Sequence, residues 1–377
     1  MTRRAHILII GLIAVGGALF GAAVAAEPDD ELVAARRLAR STLQIGGEFN
    51  TDYTFSLRDR DGGASGTVGR GDWALRQTNL RFYLDLGNGA QGRIKLDLSE
   101  RRPDSQQQIL EEALLIWRQI CGGPFGIIFG KGEIPYGQDR TLGVIQSYHH
   151  NNGADSAEGV SIFNRGAPVW HPGEIDRVVM GGVSFDWRDI LRLEVAVFQP
   201  DDYPRRLRQD DWQRGGSGFE SLAARLWWQT PLEGLVAELS GVRQYISDHQ
   251  GQRAPANHDA ARNDEYAFSV GLDYRAAPLE LFAEYEMGIN WNFTTGYNTH
   301  TVSVGGLYQL TGKIELGAMA EWLRIDNRGA VADYNKFVAH GKYTWASGLY
   351  FIGEYGIETL NWGQVAHVFA LRTGVAF

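Results

Sequence analysis

The sequence predicts an all-β fold, a transmembrane antiparallel β-barrel of sixteen strands, and three observations predict it. Apolar side chains recur at every second position from Leu43 to the end, which is the period of a strand. The alternating runs are about 10–13 residues long, roughly twice the usual soluble strand. Tight turns and longer connections alternate along the chain, the asymmetry of a barrel with turns at one rim and loops at the other.

The first segment stands outside the barrel. Arg3 and Arg4 precede the apolar run ILIIGLIAVGGALFGAAVA, which ends on the small residues Ala23-Val24-Ala25. That order of features predicts a signal peptide over residues 1–25, and with it export. Residues 26–42 follow as a short periplasmic segment of helical pattern, and the barrel is expected to occupy 43–377.

An opening strand is expected near 43–57. Tight turns are legible at 87–89 (GNG), 121–124 (CGGP), 188–189 (RD), 230–234 (TPLEG), 275–278 (RAAP), 310–313 (LTGK) and 346–348 (ASG), each joining two alternating runs into a hairpin. Seven hairpins, the opening strand and a closing strand near 366–377 give the even number that can close. The other connections, expected at 58–72, 101–107, 133–174, 200–217, 247–263, 291–297, 326–333 and 360–364, fall on the opposite rim. Trp187, Trp228, Tyr274, Trp322, Tyr343 and Trp345 sit near strand ends, where a membrane interface favours amphipathic rings. In the last strand Phe369, Leu371, Val375 and the terminal Phe377 share one parity. They are expected to face lipid and to act as an assembly signal for the outer-membrane insertion machinery.

The connection 133–174 is far longer than an ordinary loop. GVSIF (159–163) inside it has strand character, but counting it would make the total odd. It is therefore placed in a third external loop that folds toward the lumen and narrows it. The constriction residues it would supply are Asp139, Arg140, His149, His150, Asp155 and Glu158.

Composition excludes several classes. The chain has 36 Lys plus Arg against 45 Asp plus Glu, a net charge of −9, and losing residues 1–25 with Arg3 and Arg4 takes it to −11. An exported acidic chain is a poor binder of nucleic acid. Cys121 is the only cysteine, so no internal disulfide or Cys-based metal cluster is available. Adjacent residues of an extended segment point opposite ways, so His149 and His150 do not chelate one ion. No metal and no cofactor is expected.

The parity opposite the apolar one must face the interior, because a charge toward lipid costs about 2–4 kcal/mol at mid-membrane. The wall residues read this way are Arg81, Arg93, Lys95, Asp97, Arg192, Glu280, Glu284, Glu286, Lys336, His340, Lys342 and Arg372. The first half of the barrel is the more basic and the second the more acidic, and Lys342 is expected between Glu321 and Glu354. A closed sheet of sixteen strands is wide enough for an aqueous channel. The reading is a water-filled channel for passive diffusion of small hydrophilic solutes, anions among them. Two alternatives stand beside it: a structural or adhesive barrel with a plugged lumen, and a barrel enzyme acting on lipid. No GxSxG motif supports the enzyme. The partners expected are outer-membrane lipid and lipopolysaccharide, the solutes, the assembly machinery and two further copies in a homotrimer.

The stretch LRQTNLRFYLDLGNGAQGRIKLDLSE, followed by QILEEALLIWRQICGGPFGIIFGKGEIPYGQDR, resembles the first third of the phosphate-selective porin O/P family of Gram-negative outer membranes. The resemblance rests on an Arg-rich strand, a short turn, a charged strand, and the element Gly130-Lys131-Gly132-Glu133-Ile134-Pro135-Tyr136-Gly137. It covers about residues 43–140 and the closing strand. It implies a sixteen-stranded, usually trimeric porin with a loop-narrowed pore, in which Arg81, Arg93, Lys95 and Arg140 hold anionic solutes. The chain departs from that pattern in carrying at least as many inward acids as bases.

Overall fold

The computed structural model describes residues 42–59, 67–87, 89–97, 110–137, 178–199, 221–245, 264–290, 296–327, 329–346, 348–359 and 365–376. Among them sixteen strands follow in order: β1 (Thr42–Asp59), β2 (Thr67–Gly87), β3 (Ala90–Asp97), β4 (Leu110–Trp117), β5 (Phe125–Gly132), β6 (Val178–Trp187), β7 (Leu191–Phe198), β8 (Ser221–Gln229), β9 (Leu235–Tyr245), β10 (Asp264–Ala276), β11 (Leu279–Ile289), β12 (Tyr297–Gln309), β13 (Ile314–Asn327), β14 (Ala330–Ala346), β15 (Leu349–Thr359) and β16 (Val365–Ala376). Each pairs antiparallel with its sequence neighbours, and β16 returns to β1, so the sheet is a closed barrel. Closure is what hydrocarbon demands, because an unpaired backbone N–H or C=O there costs several kcal/mol.

All seven expected tight turns join consecutive strands. Two expectations are corrected. The connection placed at 326–333 is a tight turn: β13 runs to Asn327, β14 begins at Ala330, and the Gly329 amide donates to Asp326 Oδ1 at 2.9 Å. Asp326 and a Gly at φ 89° close a turn there, and the polar run around them is the wet end of a hairpin. Strand lengths also spread more than expected, from 8 residues in β3, β4, β5 and β7 to 21 in β2. A tilted strand needs about 9–11 residues to cross the hydrocarbon, so the longest strands run well past it. Beyond it a hairpin continues as an ordinary ribbon in water, where apolar alternation is no guide.

The outer face carries the apolar parity. Phe125, Phe129, Leu193, Leu239, Val270, Leu281, Val304, Phe337 and Phe351 are exposed there, with Trp187, Trp228, Tyr308, Tyr343 and Trp345 toward the short-turn rim. Phe369, Leu371 and Val375 are exposed on the same face, while Phe377 lies outside the described residues.

The seam is built from the two ends of the chain. Asp52 of β1 faces Arg372 of β16 in register, and Arg372 Nε and Nη2 donate to the two Asp52 carboxylate oxygens at 2.6 and 2.7 Å. This is the bidentate geometry that makes Arg–carboxylate pairs strong and directional. Beside it, Tyr350 of β15 reaches across β16 and donates to Asn50 Oδ1 of β1 at 2.7 Å. The intervening residue is Gly374. A Cβ there would overlap both the Asn50 amide oxygen and the Tyr350 ring, so only glycine lets the tyrosine cross.

Two apolar clusters lie on the inner face. One gathers Val178, Met180, Ala196, Phe198, Ala223, Val242 and Ala267 from β6–β10 with Leu323 and Ile325 of β13, and Ile134 packs into it. The other gathers Phe282, Met319, Val338, Tyr350, Ile352, Val368 and Ala370 from β11 and β13–β16.

Candidate functional site

The chain leaving β5 turns inward. Ile134 is buried in the first inner cluster, with Tyr136 packed against it. Tyr136 Oη donates to Glu286 Oε1 of β11 at 3.1 Å, and the Gly137 amide donates to Ser240 Oγ of β9 at 2.9 Å. A Cβ on Gly137 would stand 3.3 Å from Glu284 Oε1, so this backbone lies against that carboxylate. Burial, then the neighbouring Glu286 and Glu284 carboxylates, pushes the Tyr136 hydroxyl well above the ordinary phenol range. Its proton stays on and is donated. The Ile-Pro-Tyr-Gly element is thus docked on the wall of β9–β11.

What it docks on is the acidic sector. Glu238, Glu284 and Glu286 are all buried. Trp227 Nε1 donates to Glu238, and Ser269 Oγ donates to Glu284. Toward the short-turn rim the partly exposed Glu280 and the buried Asp273 both pair with Arg275, at 3.3 and 2.9 Å.

The next sector round, β12–β16, is charged but dry. Lys336 Nζ lies 3.5 Å from Glu321 and 3.4 Å from Glu358, and the three side chains are 1%, 0% and 1% exposed. His340 Nδ1 is 2.7 Å from Glu354 Oε1, and its Nε2 is 3.6 Å from Glu315. The sequence places Lys342 between Glu321 and Glu354, but the lysine beside Glu321 is Lys336, with Glu358 as its other partner, and Glu354 pairs with His340. Lys342 instead lies over the Tyr350 ring at 5.3 Å. The register explains the correction: Glu321 faces Lys336 and Lys336 faces Glu358 directly across the strands.

The remaining sector, β2–β8, carries the cations that water reaches. Arg81, Arg93 and Lys95 share the inner parity of β2 and β3 and are partly exposed. Arg81 Nε donates to Asn79 Oδ1 at 2.9 Å. Asp97 is in β3 opposite Asn79. Arg192 of β7 and Arg225 of β8 continue the arc. Between the two groups stands Arg118, just past β4. Burial, then the Arg192 cation, pulls its guanidinium below the usual range. Glu112 of β4 is set opposite Lys95 within this arc.

All the wall residues named from the sequence with described side chains are on the inner face, but they belong to three different environments. Arg81, Arg93, Lys95 and Arg192 line the wet basic arc. Glu284 and Glu286 sit under the inserted segment, and Lys336, His340 and Arg372 are locked in buried pairs. Glu280 and Lys342 lie toward the short-turn rim. Asp139, Arg140, His149, His150, Asp155 and Glu158 lie outside the described residues. Sequence reasoning passed over Asp52, Arg118 and Trp227. The polar parity of GEFNTD was the available signal for Asp52, and the paired Trp227-Trp228, one ring inward and one outward, was the signal for the third.

No family model matches this chain, and no curated protein does. Solved structures do match by fold. The outer membrane channel DcaP of Acinetobacter baumannii superposes with a TM-score of 0.61 at 13% identity, covering 90% of this chain and 98% of that one. The anion-selective porin from Comamonas acidovorans gives 0.61 at 11%, covering 90% and 100%. OmpT of Vibrio cholerae, in its trimer form, gives 0.56 at 13%, covering 89% and 99%. The likeness to these proteins is one of fold, the closed antiparallel barrel of bacterial outer membranes.

Proposed function

We propose that this chain is a passive channel of the bacterial outer membrane for small hydrophilic solutes, and that it favours anions. One observation carries the reading. The inserted segment Ile134–Gly137 and the wall itself bury Glu238, Glu284 and Glu286 and the ion pairs of β13–β15, which leaves the arc from Arg81 to Arg225 facing water. An acidic protein thereby presents a basic lumen. A preorganised wall of cations raises the local concentration of anions and their entry rate. No chemical step is part of this reading.

Within it, residues 1–25 are a signal peptide, 26–42 a short periplasmic segment, and Phe369, Leu371 and Val375 with Phe377 the assembly signal. The barrel contacts lipid and lipopolysaccharide and assembles as a homotrimer. The loop residues Asp139, Arg140, His149, His150, Asp155 and Glu158 complete the constriction. The narrower kinship with phosphate-selective porins rests on the resemblance of residues 43–140.

The test is the purified protein in planar bilayers. Stepwise conductance with a reversal potential on the anion side in a salt gradient is expected. The absence of any conductance step would favour the plugged barrel, whose support is the dry sector of β12–β16. A reversal potential on the cation side would refute the anion reading.

A further inference from the structure

Trp227 is the one tryptophan that the described wall turns into the lumen between two cations. It is set directly opposite Arg192 in the β7–β8 register and two residues from Arg225 on its own strand. The guanidinium carbons of Arg192 and Arg225 lie 5.2 and 4.3 Å from its ring centroid. Its indole edge is tied to the Glu238 carboxylate by the Nε1–H bond. The ring is therefore fixed at one edge and carries a cation at each of two places on its π surface, which is where the negative face of the quadrupole favours them.

The acids that steady the arginines stand behind them. Arg192 Nε donates to Asp186, and Arg225 Nη2 donates to Glu194 Oε2 at 2.8 Å. The acid side chains are 9% and 7% exposed, the arginines 26% and 21%. Each guanidinium has five N–H donors, and one bond to a recessed carboxylate leaves further donors on a partly exposed head. Arg225 Nε is buried without a hydrogen-bond partner. Two like charges held this close repel, and an anion bridging them relieves the repulsion.

From this geometry we infer that Arg192, Trp227 and Arg225 form an oxyanion-binding station in the short-turn half of the lumen, with Trp227 as its positioning residue. The ligand class is a small anion with two or more oxygen acceptors, of phosphate or carboxylate type, because fork-shaped donors are satisfied by paired oxygens and not by a spherical halide. The inference rests on the anion-favouring reading and adds a place and a discrimination to it.

The test uses the full-length channel in planar bilayers, carrying chloride current while sodium phosphate or sodium acetate is titrated in. Both oxyanions should reduce the chloride current saturably. Trp227→Ala should raise the half-blocking concentration about tenfold, the scale of a desolvated cation–π contact. Trp227→Phe, which keeps a π face, should recover most of it, and Arg225→Gln should act like the alanine variant. Block by one oxyanion alone would fix which of the two chemistries the station takes. Equal loss in Trp227→Phe and Trp227→Ala would assign the effect to the Glu238 bond and overturn the platform role. A wild-type channel that favours anions, with block unchanged in Trp227→Ala and Arg225→Gln, would overturn the station and leave the channel reading standing. A cation-selective wild type would remove the parent reading itself. Should Trp227→Ala fail to give a heat-modifiable barrel, Arg192→Gln and Arg225→Gln carry the same comparison.

Discussion

The walls β2–β8 and β12–β16 hold the same kinds of charged side chains and do opposite things with them. On β13–β15, Lys336 is enclosed by Glu321 and Glu358 with no side chain more than 1% exposed. On β7–β8, Arg192 and Arg225 keep roughly a quarter of their side-chain surface while their acids recede behind them. A lysine between two carboxylates directly across the strands is boxed in by the register. An arginine laid over an indole is held from one side and still reaches the lumen with the other. Position in the register, and not residue type, decides whether a charge is structural or available to a solute.

The strongest way to break the comparison is at Lys336. Lys336→Met leaves two carboxylates buried without their cation and should cost about 3–5 kcal/mol, read as a lowered urea midpoint and loss of heat-modifiable mobility. The matched change Arg192→Met, in the wet wall, should cost far less stability and should instead shift ion selectivity. If the two variants unfold alike, the division of the barrel into a dry and a wet wall is wrong.

Next in size is the seam. Arg372→Met removes both charge-assisted bonds to Asp52 and should cost about 2–4 kcal/mol in the same unfolding measurement, with open-channel conductance unchanged in the molecules that remain folded. Arg93→Glu should move the reversal potential toward cations, changing the permeability ratio by about threefold, the factor that one kT of local potential supplies. No change would remove Arg93 from the conducting wall. The smallest effect on the current is expected at Tyr136. Tyr136→Phe loses one bond to Glu286, worth about 1.5–3 kcal/mol when the acceptor is charged. Looser docking of the inserted segment should appear as added open-channel noise and a modest drift toward cations as Glu284 and Glu286 meet water.

Much of the barrel was legible in the sequence because period-two alternation is enforced by lipid on one side and water on the other. ELFAEYEMGI of β11 reads its two faces without ambiguity. The tight turns were legible because Gly, Pro and Asn have local causes. Strand ends at the loop rim were not, since no hydrocarbon presses on the pattern there, and the Asp326–Gly329 turn was read as a longer loop. For the candidate site, the inner parity was legible and the sorting of its charges was not. Whether Lys336 or Lys342 meets Glu321 depends on cross-strand register, which no single strand encodes. That Glu284 and Glu286 are covered depends on Tyr136, roughly 150 residues earlier in the chain. The motif around Tyr136 was visible, but its landing place on β9 and β11 was not.

The seam has a consequence for biogenesis. Asn50 and Asp52 are bonded by Tyr350 and Arg372, 300 and 320 residues further along the chain. A product released early by the ribosome therefore carries an opening strand with nothing to meet, and its first buried aspartate lacks a counter-ion. Only a chain that extends through β16 can seal the cylinder.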